Sequence, residues 1–164
     1  MPPLTHFKTT HRNLPHWHAP GATYFLTWRV LDARELEPED RTITLNAVQF
    51  WDNQKWCVYA AVVMTDHAHA LVRPLPLDRA DPAATAFHDL SGLVQSVKGF
   101  SAYKINRRRG WRGPLWQDEG YDRIVRDDRE FEETWQYIVY NPVKVGLVEV
   151  PERYPWLYQA GRAD

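Results

Sequence analysis

Two histidines separated by one residue, His67-Ala68-His69, follow an apolar run at 56–64 (WCVYAAVVM) and a Thr65-Asp66 turn. On a β-strand alternate side chains share a face, which sets the two imidazoles about 7 Å apart at Cα and lets them share one divalent cation. Neutral imidazole suits Mn²⁺ and Zn²⁺ better than Mg²⁺. A lone His-x-His is a weak motif, and two polar side chains on an exposed strand face are its plainer meaning. The same spacing recurs at His16-Trp17-His18, in a stretch without periodicity, and is given no catalytic metal role there. His67 and His69 differ because they open a strand paired with a buried one, a rigid place for a site.

Two imidazoles leave a cation undersaturated, and Asn141, with its amide oxygen, is the candidate third ligand. Tyr137 precedes it by four residues, so the two share a helix face. Phe131, Trp135 and Ile138 form that helix's apolar stripe, beside a more polar face of Glu130, Glu133, Tyr137 and Asn141. A phenol next to a metal-bound phosphate is a competent nucleophile, because the cation polarises the phosphoryl oxygens. Tyr140 is the rival, and helix geometry hardly separates the two. Pro142 biases Asn141 away from helical dihedrals and towards a helix end.

Between residues 98 and 112 the chain carries Lys98, Lys104, Arg107, Arg108, Arg109 and Arg112 and no acid. With Gln95, Tyr103 and Trp111 interleaved, the stretch suits a nucleic-acid strand, cations taking phosphates and aromatic faces taking bases. An ordinary solvated helix end, with cations on the dipole, is the bland alternative. The formal net charge is only −1, so a basic face requires this uneven distribution.

The elements that must position these groups follow from periodicity and turn residues. Residues 23–30 (TYFLTWRV) predict a strand, and Pro38-Glu39-Asp40 opens a helix to about Lys55. The 56–64 run predicts a central strand, 67–73 its antiparallel partner, and 75–82 a loop rich in Pro and Asp. A long helix is expected over 85–109, a short strand over 121–126, and a helix over about 129–140 capped by Asp127 or Asp128. The order strand, helix, strand, strand, helix, strand, helix predicts an α+β, ferredoxin-like sandwich, an antiparallel sheet with helices mainly on one face. Residues 1–20 are expected to be an extended N-terminal arm, 21–150 the catalytic domain, and 151–164 a C-terminal tail wrapping the surface. The single cysteine, Cys57, excludes an internal disulfide and a cysteine metal cage and fits a reducing compartment. The first ten residues lack the apolar stretch of a signal peptide, and no segment has membrane-spanning length, which predicts a cytoplasmic protein without a membrane partner.

These residues resemble a known family. AVVMTDHAHALVRP resembles the MPNHvHLLv signature of the HUH single-strand transposases. SVKGFSAYKINRR and the stretch from GPLWQDEGYDRIV to YIVYNPVKVGLVEVPERYPW resemble the C-terminal half of the REP-associated tyrosine transposases. The similarity runs from about Tyr24 to Trp156, and the pairing of His-x-His with the downstream YIxxNPVKxGLV is far more specific than either part. It implies a metal-dependent transposase (Mg²⁺ or Mn²⁺) that cleaves and rejoins single-stranded, hairpin-containing repeat DNA through a 5′-phosphotyrosine intermediate. It places the metal on His67 and His69, with Asn141 third, and the nucleophile on Tyr137. The N-terminal arm, here Arg12 and His16, and the basic helix with Lys98, Lys104 and Arg107 to Arg109 are implied to contact DNA. A monomer is expected, although related transposases include dimers.

Two departures stand out: Thr65-Asp66 replaces the usual Pro-Asn before the first histidine, and the arm holds more His than Arg. Asp66 adds a negative group beside the expected metal. A hairpin-binding regulator that no longer cuts is the alternative, separated from the enzyme by the absence of a covalent DNA adduct. A hydrolase of small phosphoesters, the third reading, would turn over without any covalent intermediate.

Overall fold

The computed structural model describes residues 8–12, 14–118 and 120–161, with the side chains of residues 8–18 and 121 outside the described set. Its centre is a five-stranded antiparallel sheet in the order β6-β3-β5-β4-β7, built from β3 (Thr23–Arg29), β4 (Trp56–Val63), β5 (His67–Pro74), β6 (Tyr121–Val125) and β7 (Leu157–Gln159). Leaving out β7, the order is the ferredoxin-like one expected from the sequence. Helix α1 (Pro38–Gln49) links β3 to β4, and α2 (Leu90–Arg109) links β5 to β6.

The two sheet faces carry separate apolar clusters. Tyr24, Leu26 and Trp28 of β3 and Ala68, Ala70 and Val72 of β5 pack with Leu45 and Val48 of α1 and Leu93, Val97 and Ile105 of α2. Phe25 and Leu71, on the opposite face, pack with Ile138 and Val139 of α3 (Asp128–Lys144). Two helices therefore cover one face and the third crosses the other.

Strand β4 keeps its pattern through a bulge. Val58 pairs with Val72 and Ala60 with Leu71, so Tyr59 is the extra residue and the side-chain alternation resets there. Trp56 and Val58 before the bulge, and Ala61 and Val63 after it, all face the α1/α2 side.

Capping residues fix the helix starts. Asp40 Oδ2 accepts from the Glu37 backbone N–H at 2.9 Å ahead of α1, Asp89 from Gly92 in α2 at 2.9 Å, and Asp127 from Glu130 in α3 at 2.8 Å. Helix α2 begins five residues later than periodicity suggested because Phe87 bridges Pro76 and draws the preceding chain into extended form. It stops at Gly110, whose φ of 66° closes the helix without a Cβ penalty. Helix α1 ends at Gln49 rather than near Lys55. Helix α3 continues through Pro142 to Lys144, so Asn141 lies inside it and not at its end. One missing N–H this close to a C-terminus costs only a single ladder bond.

Both terminal segments are more ordered than expected. Residues of the N-terminal arm form an antiparallel pair, β1 (Lys8–Arg12) and β2 (Leu14–His18), in a sheet of their own. In the tail, β7 adds an edge strand against β4. Tyr154 is buried, and its hydroxyl donates to the Val63 carbonyl at 2.7 Å.

Candidate active site

The site lies on the α3 face of the sheet. Cross-strand register sets Thr27 beside His69 and Arg29 beside His67 on β3 and β5. The two imidazoles share this face, as the spacing predicted, with ring centroids 4.8 Å apart. Each ring is held through its Nδ1. His67 Nδ1 meets Asp66 Oδ1 at 2.5 Å, and His69 Nδ1 meets Thr27 Oγ1 at 2.7 Å.

The surroundings of the rings differ. His67 is partly open, whereas His69 is 4 % exposed beneath α3. Burial, reinforced by His67 and Arg29, holds the His69 pKa down at about 3. The imidazole is therefore neutral at physiological pH and keeps one lone pair to offer. His69 Nε2 is buried and has no hydrogen-bond partner among the described residues. Buried polar atoms are ordinarily satisfied, so this nitrogen is a place where a ligand would be accommodated. The Asp66 carboxylate is held below its usual range, chiefly by its bond to His67. Arg29 stands 4.0 Å from Asp66 on its open side.

Helix α3 brings Tyr137 to this pair. Its ring meets His69 edge-on at 5.3 Å and Phe25 edge-on at 5.8 Å, and Phe25 stacks on His69 at 5.3 Å. Ile138, fully buried, anchors the same turn in the core. Tyr137 is 46 % exposed, so its aromatic edge is packed while solvent and a substrate can reach the side chain. Tyr140 is also exposed, at 52 %. Tyr137 makes a ring contact with His69, and Tyr140 makes none with either histidine among the described residues. Asn141 is buried one turn further along α3. No group of three His, Cys, Asp or Glu able to hold a metal occurs among the described residues.

The basic helix divides into two sets. Arg108 bonds Glu37, Glu39 and Asp40, and Arg109 bonds Asp40 at 2.6 Å and approaches Glu37 at 3.5 Å. Their charge is spent on the start of α1, whose acids are remote in sequence. Lys98 donates to the Gln117 carbonyl at 2.8 Å, which ties α2 to the segment before β6. Lys104 and Arg107 remain on the open side, Lys104 over the Phe100 ring at 5.5 Å and Arg107 donating to the Tyr103 hydroxyl at 3.1 Å. Phe100 and Tyr103 are 50 % and 60 % exposed. Arg12 and His16 lie on the β1–β2 pair, with side chains outside the described residues.

Sequence reasoning missed Thr27, Phe25 and Arg29. Their signal was present in the alternation of TYFLTWR, which sets 25, 27 and 29 on one face, but the register to β5 was not legible. Gly120 tightens this region, since a Cβ there would stand 2.6 Å from the Thr27 carbonyl oxygen.

No family model matches the chain. A Haemophilus influenzae protein named as a REP-associated tyrosine transposase is 29 % identical over 97 residues, 59 % of this chain. The matched stretch covers 55 % of that relative, about half its length. A solved structure of a REP-associated tyrosine transposase bound to a REP hairpin superposes with a TM-score of 0.69 at 18 % identity. The superposition covers 92 % of this chain and 82 % of that one. The resemblance to the REP-associated tyrosine transposases read from the sequence thus holds, as does the α+β antiparallel-sheet fold.

Proposed function

We propose that the protein is a metal-dependent endonuclease and strand transferase acting on single-stranded, hairpin-containing repeat DNA through Tyr137. The observation that carries the reading is the contact between His69 and Tyr137. Two residues 68 positions apart are brought ring to ring, beside a buried nitrogen with no hydrogen-bond partner among the described residues. The hairpin substrate rests on the solved relative, which is bound to a REP hairpin.

The donor set fits a divalent cation. His67 and His69 each have Nδ1 engaged, which leaves Nε2 as the ligating atom, and Asn141 is the proposed third ligand. When bound, Mg²⁺ or Mn²⁺ would polarise the scissile phosphate and neutralise charge that develops on it.

Tyr137 Oη would form a bond to phosphorus while the bond to the 3′-oxygen breaks. The phenol loses its proton, and the departing strand leaves as a free 3′-OH. The 5′ end remains on Tyr137 as a phosphotyrosine, and attack by a 3′-OH reverses the step, which is what permits rejoining. His69 and Phe25 meet the Tyr137 ring edge-on and restrain it beside the proposed cation. These two ring contacts restrict the geometries the nucleophile samples.

Lys104 and Arg107, with the exposed rings of Phe100 and Tyr103, supply the proposed phosphate and base contacts on α2. This helix covers the sheet face opposite Tyr137, so DNA touching both surfaces must pass around a sheet edge.

Incubation with a labelled hairpin oligonucleotide and Mn²⁺ tests the reading. A denaturation-resistant adduct that disappears in Tyr137→Phe supports it. Hairpin binding without any adduct supports the non-cleaving regulator.

A further inference from the structure

The two histidines lie in different settings, one partly open and one buried, yet each is held by the same ring atom. We propose that Thr27 and Asp66 are positioning residues that set one tautomer on both rings, protonated at Nδ1, so that both Nε2 lone pairs are available to a single cation. This rests on the metal-dependent reading above.

For His67 the donor is fixed by chemistry. An ionised carboxylate only accepts, so Asp66 Oδ1 at 2.5 Å takes the Nδ1 proton. The neutral ring then carries its lone pair on Nε2. For His69 the partner is a hydroxyl, which can donate or accept, and the surroundings decide. The opposite tautomer would put an N–H on Nε2, buried and without an acceptor among the described residues. Nε2 is unpaired in either tautomer of the metal-free protein, at a cost of about 1–3 kcal/mol, but only a lone pair there can be taken up by a cation, and in that form Nδ1–H donates to Thr27 Oγ1 at 2.7 Å. Both rings therefore resolve to the same form.

The arrangement also spans the sheet. Thr27 pairs directly with His69 across β3 and β5, while Asp66 holds His67 from the turn that precedes its own strand. One ring is oriented by a neighbouring strand and the other by the turn ahead of its own strand. The Asp at 66 and the Thr at 27 thus perform the orienting task that ligating histidines ordinarily receive from a carboxylate or carbonyl.

The test begins on metal-free, ¹⁵N-labelled protein, where long-range ¹H–¹⁵N spectra read each ring's tautomer directly. The expected result at neutral pH is an unprotonated Nε2 and a protonated Nδ1 on His69. Thr27→Val, close in volume, should lose that preference, and Thr27→Ser should keep it. Mn²⁺ affinity measured by calorimetry should fall roughly 10- to 100-fold in Thr27→Val and be restored in Thr27→Ser. A wild-type His69 protonated at Nε2 overturns the proposal, as does Thr27→Val binding Mn²⁺ as tightly as wild type. The expected tautomers in a wild-type protein that takes up no Mn²⁺ would instead overturn the metal reading beneath it.

Discussion

The phenol ring of Tyr137 stands edge-on to the imidazole of His69, 5.3 Å between centroids, across the interface of α3 with the sheet. Tyr140, three residues later and similarly exposed, has no such contact among the described residues. Tyr137→Phe keeps the packing and removes only the hydroxyl. It should fold with unchanged stability and lose the covalent DNA adduct by several orders of magnitude, while Tyr140→Phe retains it. Gel analysis of a 5′-labelled hairpin reads both. Loss of the adduct in Tyr140→Phe with survival in Tyr137→Phe would reverse the assignment.

Acid should destabilise the fold through His69. Its folded pKa is held down at about 3 by burial, against 6.5 for an ordinary histidine. Between those values the unfolded chain binds a proton that the folded chain does not. Stability is therefore fully present above about pH 6.5 and is lost as pH falls towards 3, by up to about 1.4 kcal/mol per pH unit. Chemical denaturation across pH 4 to 7, in metal-free buffer, should show this slope in wild type and a shallower one in His69→Gln. Equal slopes would remove His69 as the origin.

Asp40 is fully buried and accepts from Arg108 at 2.9 Å and Arg109 at 2.6 Å while capping α1. Removing it leaves two guanidinium groups without their inner partner. Arg108 keeps Glu37 and Glu39 and both guanidinium groups reach solvent, so Asp40→Ala should lower the unfolding free energy by about 1–2 kcal/mol, measured by urea titration. Arg109→Gln should also lower stability, with hairpin affinity little changed once the protein is folded. A large affinity loss in a stably folded Arg109→Gln would return this residue to the DNA surface.

Lys104 and Arg107 give the opposite expectation. Neither has an acidic partner among the described residues, and each lies beside an exposed aromatic ring. The double substitution to Gln should leave stability within about 0.5 kcal/mol. It should weaken hairpin binding and reduce the salt dependence of log affinity by about one to two phosphate contacts. Fluorescence anisotropy over a salt series reads the slope, and adduct formation at saturating DNA should persist.

The sequence made the four core strands and three helices legible because each is bounded by turn residues and capped by an Asp or an acid–proline start. The His-x-His strand was legible because alternation is a local property. What was not legible was non-local. Arg108 and Arg109 looked like free cations because no acid lies near them in the chain, whereas Glu37, Glu39 and Asp40 reach them through the packing of α1 on α2. Thr27 was unremarkable in TYFLTWR until the register to β5 set it against His69. The pairing of β1 with β2 escaped because Pro15 and the histidines broke any alternation that would mark a strand.

The bulge at Tyr59 has a consequence for how this chain can change. Because Tyr59 is the residue skipped between the pairs Val58↔Val72 and Ala60↔Leu71, removing it would join two runs whose alternation already agrees, and Ala61 and Val63 would keep the α1/α2 side. Drawing it into regular pairing instead would shift every later residue by one, sending Ala61 and Val63 to the opposite side and bringing Ala60 and Val62 round in exchange. Val62, the cross-strand neighbour of His69, would then turn away from it. A residue gained or lost elsewhere in β4 would exchange linings in the same way, so Tyr59 marks the place where the count of this strand can fall by one without turning its faces over.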